Sequence, residues 1–239
     1  MPVNVFTPPP YTPKIPKPQA VTTIGAAHLA SGWLTAEESA WLYAQGMAHA
    51  TLAVGNDGIA AHYLQGDPVG SYRASAWMPT WADAWFTALP EDVKRPRVVT
   101  DMDHLDAPVG SCWRAVGVNP LFRWIAYPPQ TGQLVAHYDA PYEQTPHHKT
   151  LTSFLVYLTD TEMEGQTRFL YDSQDTRAKP FRDWSDWNRS AHPHEVQHTI
   201  RAHAGDVLWF DHRLLHDSTP MGTTRKMVVR TDILYERIT

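Results

Sequence analysis

His137 and Asp139, in the run QLVAHYDAP (Gln133–Pro141), carry the clearest chemistry in this chain. Their apolar neighbours, bounded by proline and polar residues, predict a strand. Strand residues two apart project from one face, so the two side chains stand together. An imidazole nitrogen beside a carboxylate is two thirds of a facial 2-His-1-carboxylate site, the donor set that holds non-haem Fe(II) and leaves positions open. The third ligand would be a histidine from a distant strand, and His216 in DVLWFDHRLLHDSTP is the candidate. Histidine and aspartate at strand ends also cap turns or pair with each other, and H-x-D alone leaves that reading open.

The elements that must position these groups are legible on either side. FRWIAYPP (Phe122–Pro129) precedes the pair and LTSFLVYLTD (Leu151–Asp160) follows it; both read as strands. Alternation in the strand Leu121–Tyr127 puts Arg123, Ile125 and Tyr127 on one face. Val207–Phe210 and Met227–Tyr235 complete a β-rich second half. Leu34–His49 reads as a helix, with Thr35 as N-cap, Glu38 at capping-box spacing, Leu34 as staple and Trp41, Leu42 and Met47 on one side. Pro79–Leu89, with Trp81, Trp85 and Phe86, reads as a second helix packing on a sheet, and Gly55–Gly58 as a turn. Two helices followed by several short strands predict an α+β, mainly β fold, an antiparallel jelly roll backed by N-terminal helices. The expected organisation is a proline-rich arm over 1–19, then one domain over 20–239. Within that domain, helical support covers about 20–105 and the jelly-roll core about 106–239. The tryptophan-rich stretch 171–198, with Arg182, Trp184, Trp187 and Arg189, is either a substrate lid or an ordered surface loop.

Composition narrows the function classes. The 239 residues are 43% hydrophobic and 19% charged, enough apolar material for a core and too little charge for wholesale disorder. A net charge of −5 without a basic run argues against nucleic acid as a partner. No apolar stretch reaches membrane-spanning length. The single cysteine, Cys112, excludes an internal disulfide framework, reads as a small buried residue and suits a reducing compartment, so the expected location is cytoplasmic. The oligomeric state stays open.

In order along the chain, VGVNPLFRWIAYPP, HYDAPY, SFLVYLTD, EGQTRFL, AGDVLWF and LLHDSTP…RTDILY resemble the prolyl 4-hydroxylase-like branch of the Fe(II)/2-oxoglutarate-dependent dioxygenases, over about Val116 to Tyr235. The resemblance implies a double-stranded β-helix (a cupin-like jelly roll) with His137, Asp139 and His216 as both metal ligands and catalytic centre. It implies Fe(II) and 2-oxoglutarate as cofactors, dioxygen as co-substrate, and ascorbate as a candidate reductant. In relatives that halogenate, a small residue replaces the carboxylate, so Asp139 implies hydroxylation or a related oxidation. A basic residue past the distal histidine binds the far carboxylate of 2-oxoglutarate. Lys226 aligns best, Arg225 and Arg230 compete with it, and Lys226, Val228, Arg230 and Asp232 would share one strand face. Tyr127 and Tyr157 match tyrosines that line the 2-oxoglutarate pocket.

Arg123 either binds an anionic part of the substrate or pairs with a carboxylate at the barrel mouth. His147 and His148 read as a solvated loop pair, and His212 as a weaker rival to His216. The implied reaction is oxidation of a C–H bond in a small molecule, such as an amino acid or natural-product intermediate, with release of succinate and CO2. A cupin-like metal enzyme without 2-oxoglutarate and a non-catalytic scaffold on the same fold are the alternatives.

Overall fold

A computed structural model describes residues 4–53, 71–100, 107–130, 132–161, 163–173 and 191–239. Gly55–Gly58 and Arg182, Trp184, Trp187 and Arg189 lie outside these residues, so the turn and the candidate lid have no structural account. Two β-sheets face each other as a jelly roll. Among the described residues the larger sheet has twelve strands. Its path runs Asn4–Phe6, Ser71–Trp77, Leu121–Tyr127, Lys226–Arg237, His148–Tyr157, Val207–Asp211, Ala27–Ser31, Ala20–Ile24. The smaller sheet has four: Val196–Ile200, Thr167–Leu170, His216–Ser218 and Leu134–His137.

Alternation along the central strands explains why the larger sheet is buried on both faces. Phe122, Trp124 and Ala126 point outward into a core shared with the helices, while Ile125 and Tyr127 point inward with Tyr157, Phe169, Leu208, Phe210 and Val228. The outer core is built on Trp33, Trp81, Trp85, Trp113, Trp124 and Trp209. Arg123 is on the inward face with Ile125 and Tyr127, as alternation requires.

Helix α1 spans Ala36–His49. Thr35 accepts from the Glu38 backbone N–H through its hydroxyl, and the Glu38 carboxylate accepts from the Thr35 backbone N–H, completing the box. Its buried stripe is Glu38, Ser39, Leu42 and Gly46, whereas Met47, expected on the packed side, is exposed. Gly46 sets the stripe, because helix and sheet touch there. A Cβ at Gly46 would lie 2.6 Å from Cδ1 of Trp124 and 2.5 Å from Sδ of Met227. The Trp124 indole N–H donates to the Leu42 carbonyl at 2.9 Å and holds that ring in place. Gly46→Ala is therefore expected to lower stability by up to about 2 kcal/mol, an overpacking cost of about 1–3 kcal/mol outweighing the roughly 1 kcal/mol that alanine contributes to helix propensity. A higher urea midpoint for the variant would disprove the contact. Helix α2 spans Pro79–Ala88 with Trp81 and Trp85 buried.

The N-terminal arm is laid on the body. Asn4–Phe6 pairs in parallel with Ser71–Trp77, Phe6 stacks on His49, and Tyr11 packs against Trp41 and Trp81. The segment expected to be helical support is more β-rich than that expectation. Ala20–Ile24, Ala27–Ser31 and Ser71–Trp77 extend the larger sheet, because strands of five to seven residues rely on pairing with a neighbour more than on their own pattern. Cys112, expected to be buried, is partly exposed at the start of its strand. Among the described residues no helix is long and apolar enough to cross a membrane.

Candidate metal centre and anion pocket

The smaller sheet brings the two histidines together. His216 and His137 are register partners on adjacent antiparallel strands, with ring centroids 4.2 Å apart. Each ring is oriented from behind. His137 Nδ1 lies 2.9 Å from the Val135 carbonyl and His216 Nδ1 2.8 Å from the Leu214 carbonyl. A carbonyl only accepts, so each Nδ1 carries the proton and each Nε2 presents a lone pair to the centre.

Asp139 lies just past the end of its strand, where its backbone N–H donates to the His212 carbonyl at 3.3 Å. Its Oδ1 is 3.7 Å from His137 Nε2 and its Oδ2 is 3.8 Å from His216 Nε2. The ligand atoms of all three residues lie within 4.8 Å of one another, and theirs is the one such group among the described residues. Two neutral imidazoles and a carboxylate converging on one side suit Fe(II) and leave the other side open to ligands.

Electrostatics keeps these groups in ligand form. Burial would raise the Asp139 carboxyl, but Arg230 first, then His216 and His137, hold it well below the usual carboxylate range. Burial, reinforced by His137, pushes His216 down to about 3, so it stays a neutral donor.

The centre opens into a cavity lined by Ile125, Tyr127, Leu155, Val228, Lys226 and Arg230, among others. Its inner-sheet wall is layered by register. Lys226 stands opposite Tyr127, Val228 opposite Ile125, and Arg230 opposite Arg123. The three competing cations thereby separate. Arg225 points out of the barrel, against Met47 and the Tyr72 ring. Arg230 is at the metal centre, its Nη1 2.6 Å from Asp139 Oδ1. Lys226 is at the far end, 3% exposed, donating to the hydroxyls of Ser218 at 3.0 Å and Thr167 at 3.3 Å.

Lys226 has no carboxylate partner within ion-pair distance among the described residues, and burial lowers it to about 7, Asp217 opposing. The rings of Tyr127 and Tyr157 each lie 5.8 Å from its Nζ. Burial raises both phenols, Tyr127 to about 12, so they remain protonated. The Tyr157 hydroxyl donates to Thr167 and so braces a partner of Lys226. Gly165, at φ +64°, lies against this end; a Cβ there would fall 3.3 Å from the Lys226 stem and 2.5 Å from Met221 Sδ.

Arg123 is paired with a carboxylate: its Nη2 donates to Asp232, which Arg230 also contacts at 3.2 Å. His212 is outside the metal group, and its Nε2 faces Asp232 Oδ1 at 3.4 Å. His148 is exposed beside Glu236, and neither it nor His147 joins the cluster.

Three supporting groups escaped the sequence reading. Ser153 donates to Asp139 Oδ2, and Thr167 and Ser218 receive Lys226. Only the parity of Ser153 within LTSFLVY hinted at an inward side chain.

Among solved structures, HygX from Streptomyces hygroscopicus, with nickel, 2-oxoglutarate and hygromycin B bound, matches with a TM-score of 0.51 at 13% identity, covering 89% of this chain and 83% of that one. The viral collagen prolyl hydroxylase of Paramecium Bursaria Chlorella virus-1, as its 2-oxoglutarate complex, gives 0.48 at 14% identity over 88% and 96%. A Pseudomonas putida prolyl-4-hydroxylase gives 0.48 at 13% over 87% and 91%. No curated protein matches the sequence. The family model of phytanoyl-CoA dioxygenase (PhyH) matches residues 30–227, and the chain accordingly belongs to that family of 2-oxoglutarate-dependent dioxygenases.

Proposed function

We propose that this chain oxidises, by hydroxylation, a C–H bond of a small molecule such as an amino acid or natural-product intermediate. His137, Asp139 and His216 would hold Fe(II), and Lys226 would hold the distal carboxylate of 2-oxoglutarate. The observation that carries the reading is a three-donor centre at one end of a cavity whose other end buries a lysine without a carboxylate partner. A buried cation left unpaired is costly to the fold, and an incoming carboxylate removes that cost.

When bound, iron and 2-oxoglutarate supply the oxidising power: one atom of dioxygen goes to succinate, the other to the substrate, and CO2 leaves. The chain's residues do the rest. Val135 and Leu214 fix the imidazole tautomers. Ser153 and Arg230 hold the Asp139 carboxylate in one orientation. Ile125, Val228 and Phe210 line the cavity with apolar surface and limit water near the reacting C–H bond.

The intact triad and the buried lysine speak for this reading over a cupin-like enzyme without 2-oxoglutarate and over a scaffold. A reducing, cytoplasmic setting is our reading from the single cysteine. Anaerobic addition of 2-oxoglutarate to Fe(II)-loaded protein is expected to produce a visible charge-transfer band that disappears in His137→Ala. Metal binding with no band and no 2-oxoglutarate affinity would sink the proposal.

A further inference from the structure

We propose that Arg123 and Arg230 form a carboxylate-binding ledge beside the metal centre, so that the substrate is a small molecule bearing one carboxylate; this rests on the function proposed above. The two guanidiniums are cross-strand partners on the inner face of the larger sheet. Like charges placed opposite one another destabilise a sheet unless anions separate them. Here two anions do so. Asp232, 1% exposed, is shared by both arginines, and Asp139 takes Arg230 Nη1 at 2.6 Å. His212 faces the same Asp232. Two arginines and two aspartates therefore balance. The Nε atoms of Arg123 and Arg230 are nevertheless buried without hydrogen-bond partners, so the cluster leaves hydrogen-bonding demand unmet.

A divalent cation upsets this balance. Once Asp139 serves the metal, its charge no longer compensates Arg230, and Asp232 alone stands between two cations. The ledge then carries about one unit of uncompensated positive charge at the edge of the reacting centre. 2-Oxoglutarate cannot supply the missing charge if its distal carboxylate is at Lys226, one layer beyond Val228 and Ile125 in the other direction. Arg230 lines the cavity, and Arg123, its cross-strand partner, has the more exposed side chain, 32% against 9%. A guanidinium fork suits a planar carboxylate, and one carboxylate closes the deficit. A phosphate monoester, at about −1.5 to −2, exceeds it.

The test uses three probes of one shape, hexanoate, hexanamide and hexyl phosphate, titrated calorimetrically into protein that is metal-free, Fe(II)-loaded, or loaded with both Fe(II) and 2-oxoglutarate under anaerobic conditions. Hexanoate is expected to bind at least about tenfold more tightly than hexanamide in protein loaded with Fe(II) and 2-oxoglutarate, where the ligand already covers Lys226. Arg123→Gln should abolish the preference and leave 2-oxoglutarate affinity unchanged, whereas Arg123→Lys should retain part of it. The Arg123→Gln comparison separates the ledge from direct binding of the probe to iron. Equal binding of acid and amide, a preference that survives Arg123→Gln, or tighter binding of hexyl phosphate would each overturn the proposal. Failure of 2-oxoglutarate to bind would instead strike the function proposed above, and the difference between wild type and Arg123→Gln in Fe(II)-loaded protein would still decide the ledge.

Discussion

Lys226→Met is expected to weaken 2-oxoglutarate binding by about 30- to 5,000-fold while making the ligand-free protein more stable. Removing one partner of a buried charge pair costs about 2–5 kcal/mol of binding, because the other partner is left desolvated and unpaired. In the ligand-free chain the balance reverses. Lys226 is 3% exposed and held by two hydroxyls, and burial has brought it down to about 7. A lysine whose folded value lies below the unfolded one, about 10.4, penalises folding in full below pH 7. That penalty fades as pH rises from 7 towards 10.4, because the unfolded chain then binds more protons than the folded one. The stability gain of Lys226→Met should accordingly be larger at pH 6 than at pH 9. Ligand binding has the opposite slope: a dianion binds the protonated amine, so wild-type affinity should fall by up to about tenfold per pH unit above 7. Calorimetric affinities and thermal midpoints at the two pH values check both slopes. A variant with unchanged affinity would remove Lys226 from the pocket.

Asp139→Ala is expected to abolish turnover and to destabilise the metal-free protein by about 3–5 kcal/mol, far more than His137→Ala. The histidine variant deletes a neutral ring. The aspartate variant deletes the partner of buried Arg230, and an uncompensated buried charge is among the costliest single changes. Asp232 still contacts Arg230 and sets the upper end of that range. The depressed Asp139 carboxyl contributes stability that is present above the normal carboxylate range and lost as pH falls. Asp139→Ala should therefore flatten the acid limb of the stability profile. Urea midpoints for the two variants, taken with chelator present, compare them directly. Equal losses would mean that the Arg230 contact does not hold Asp139 in solution.

Much of this centre was readable from local periodicity. His137 and Asp139 are two residues apart, and Arg123, Ile125 and Tyr127 alternate on their strand, as do Lys226, Val228 and Arg230. Period-two alternation needs no knowledge of the partner strand. The capping box at Thr35 and Glu38 is equally local, since both groups lie within one helical turn. The short strands before Pro79 were less legible, because pairing across the sheet, rather than their own composition, makes them strands.

The sequence by itself determined the donor types, the inward parity of three strands and the family of the chain. Only the tertiary structure decided which cation stands where. Arg225 and Lys226 are adjacent, and alternation sends them to opposite faces of the sheet; nothing local says which face is the barrel interior. Register across strands more than a hundred residues apart then set Arg230 beside Arg123 and turned both towards Asp232 and Asp139. Pairing on other strands gave Ser153, Thr167 and Ser218 their places. Hydrogen bonds and ion pairs are settled by distances of about 3 Å, and only the folded sheet brings such residues that close.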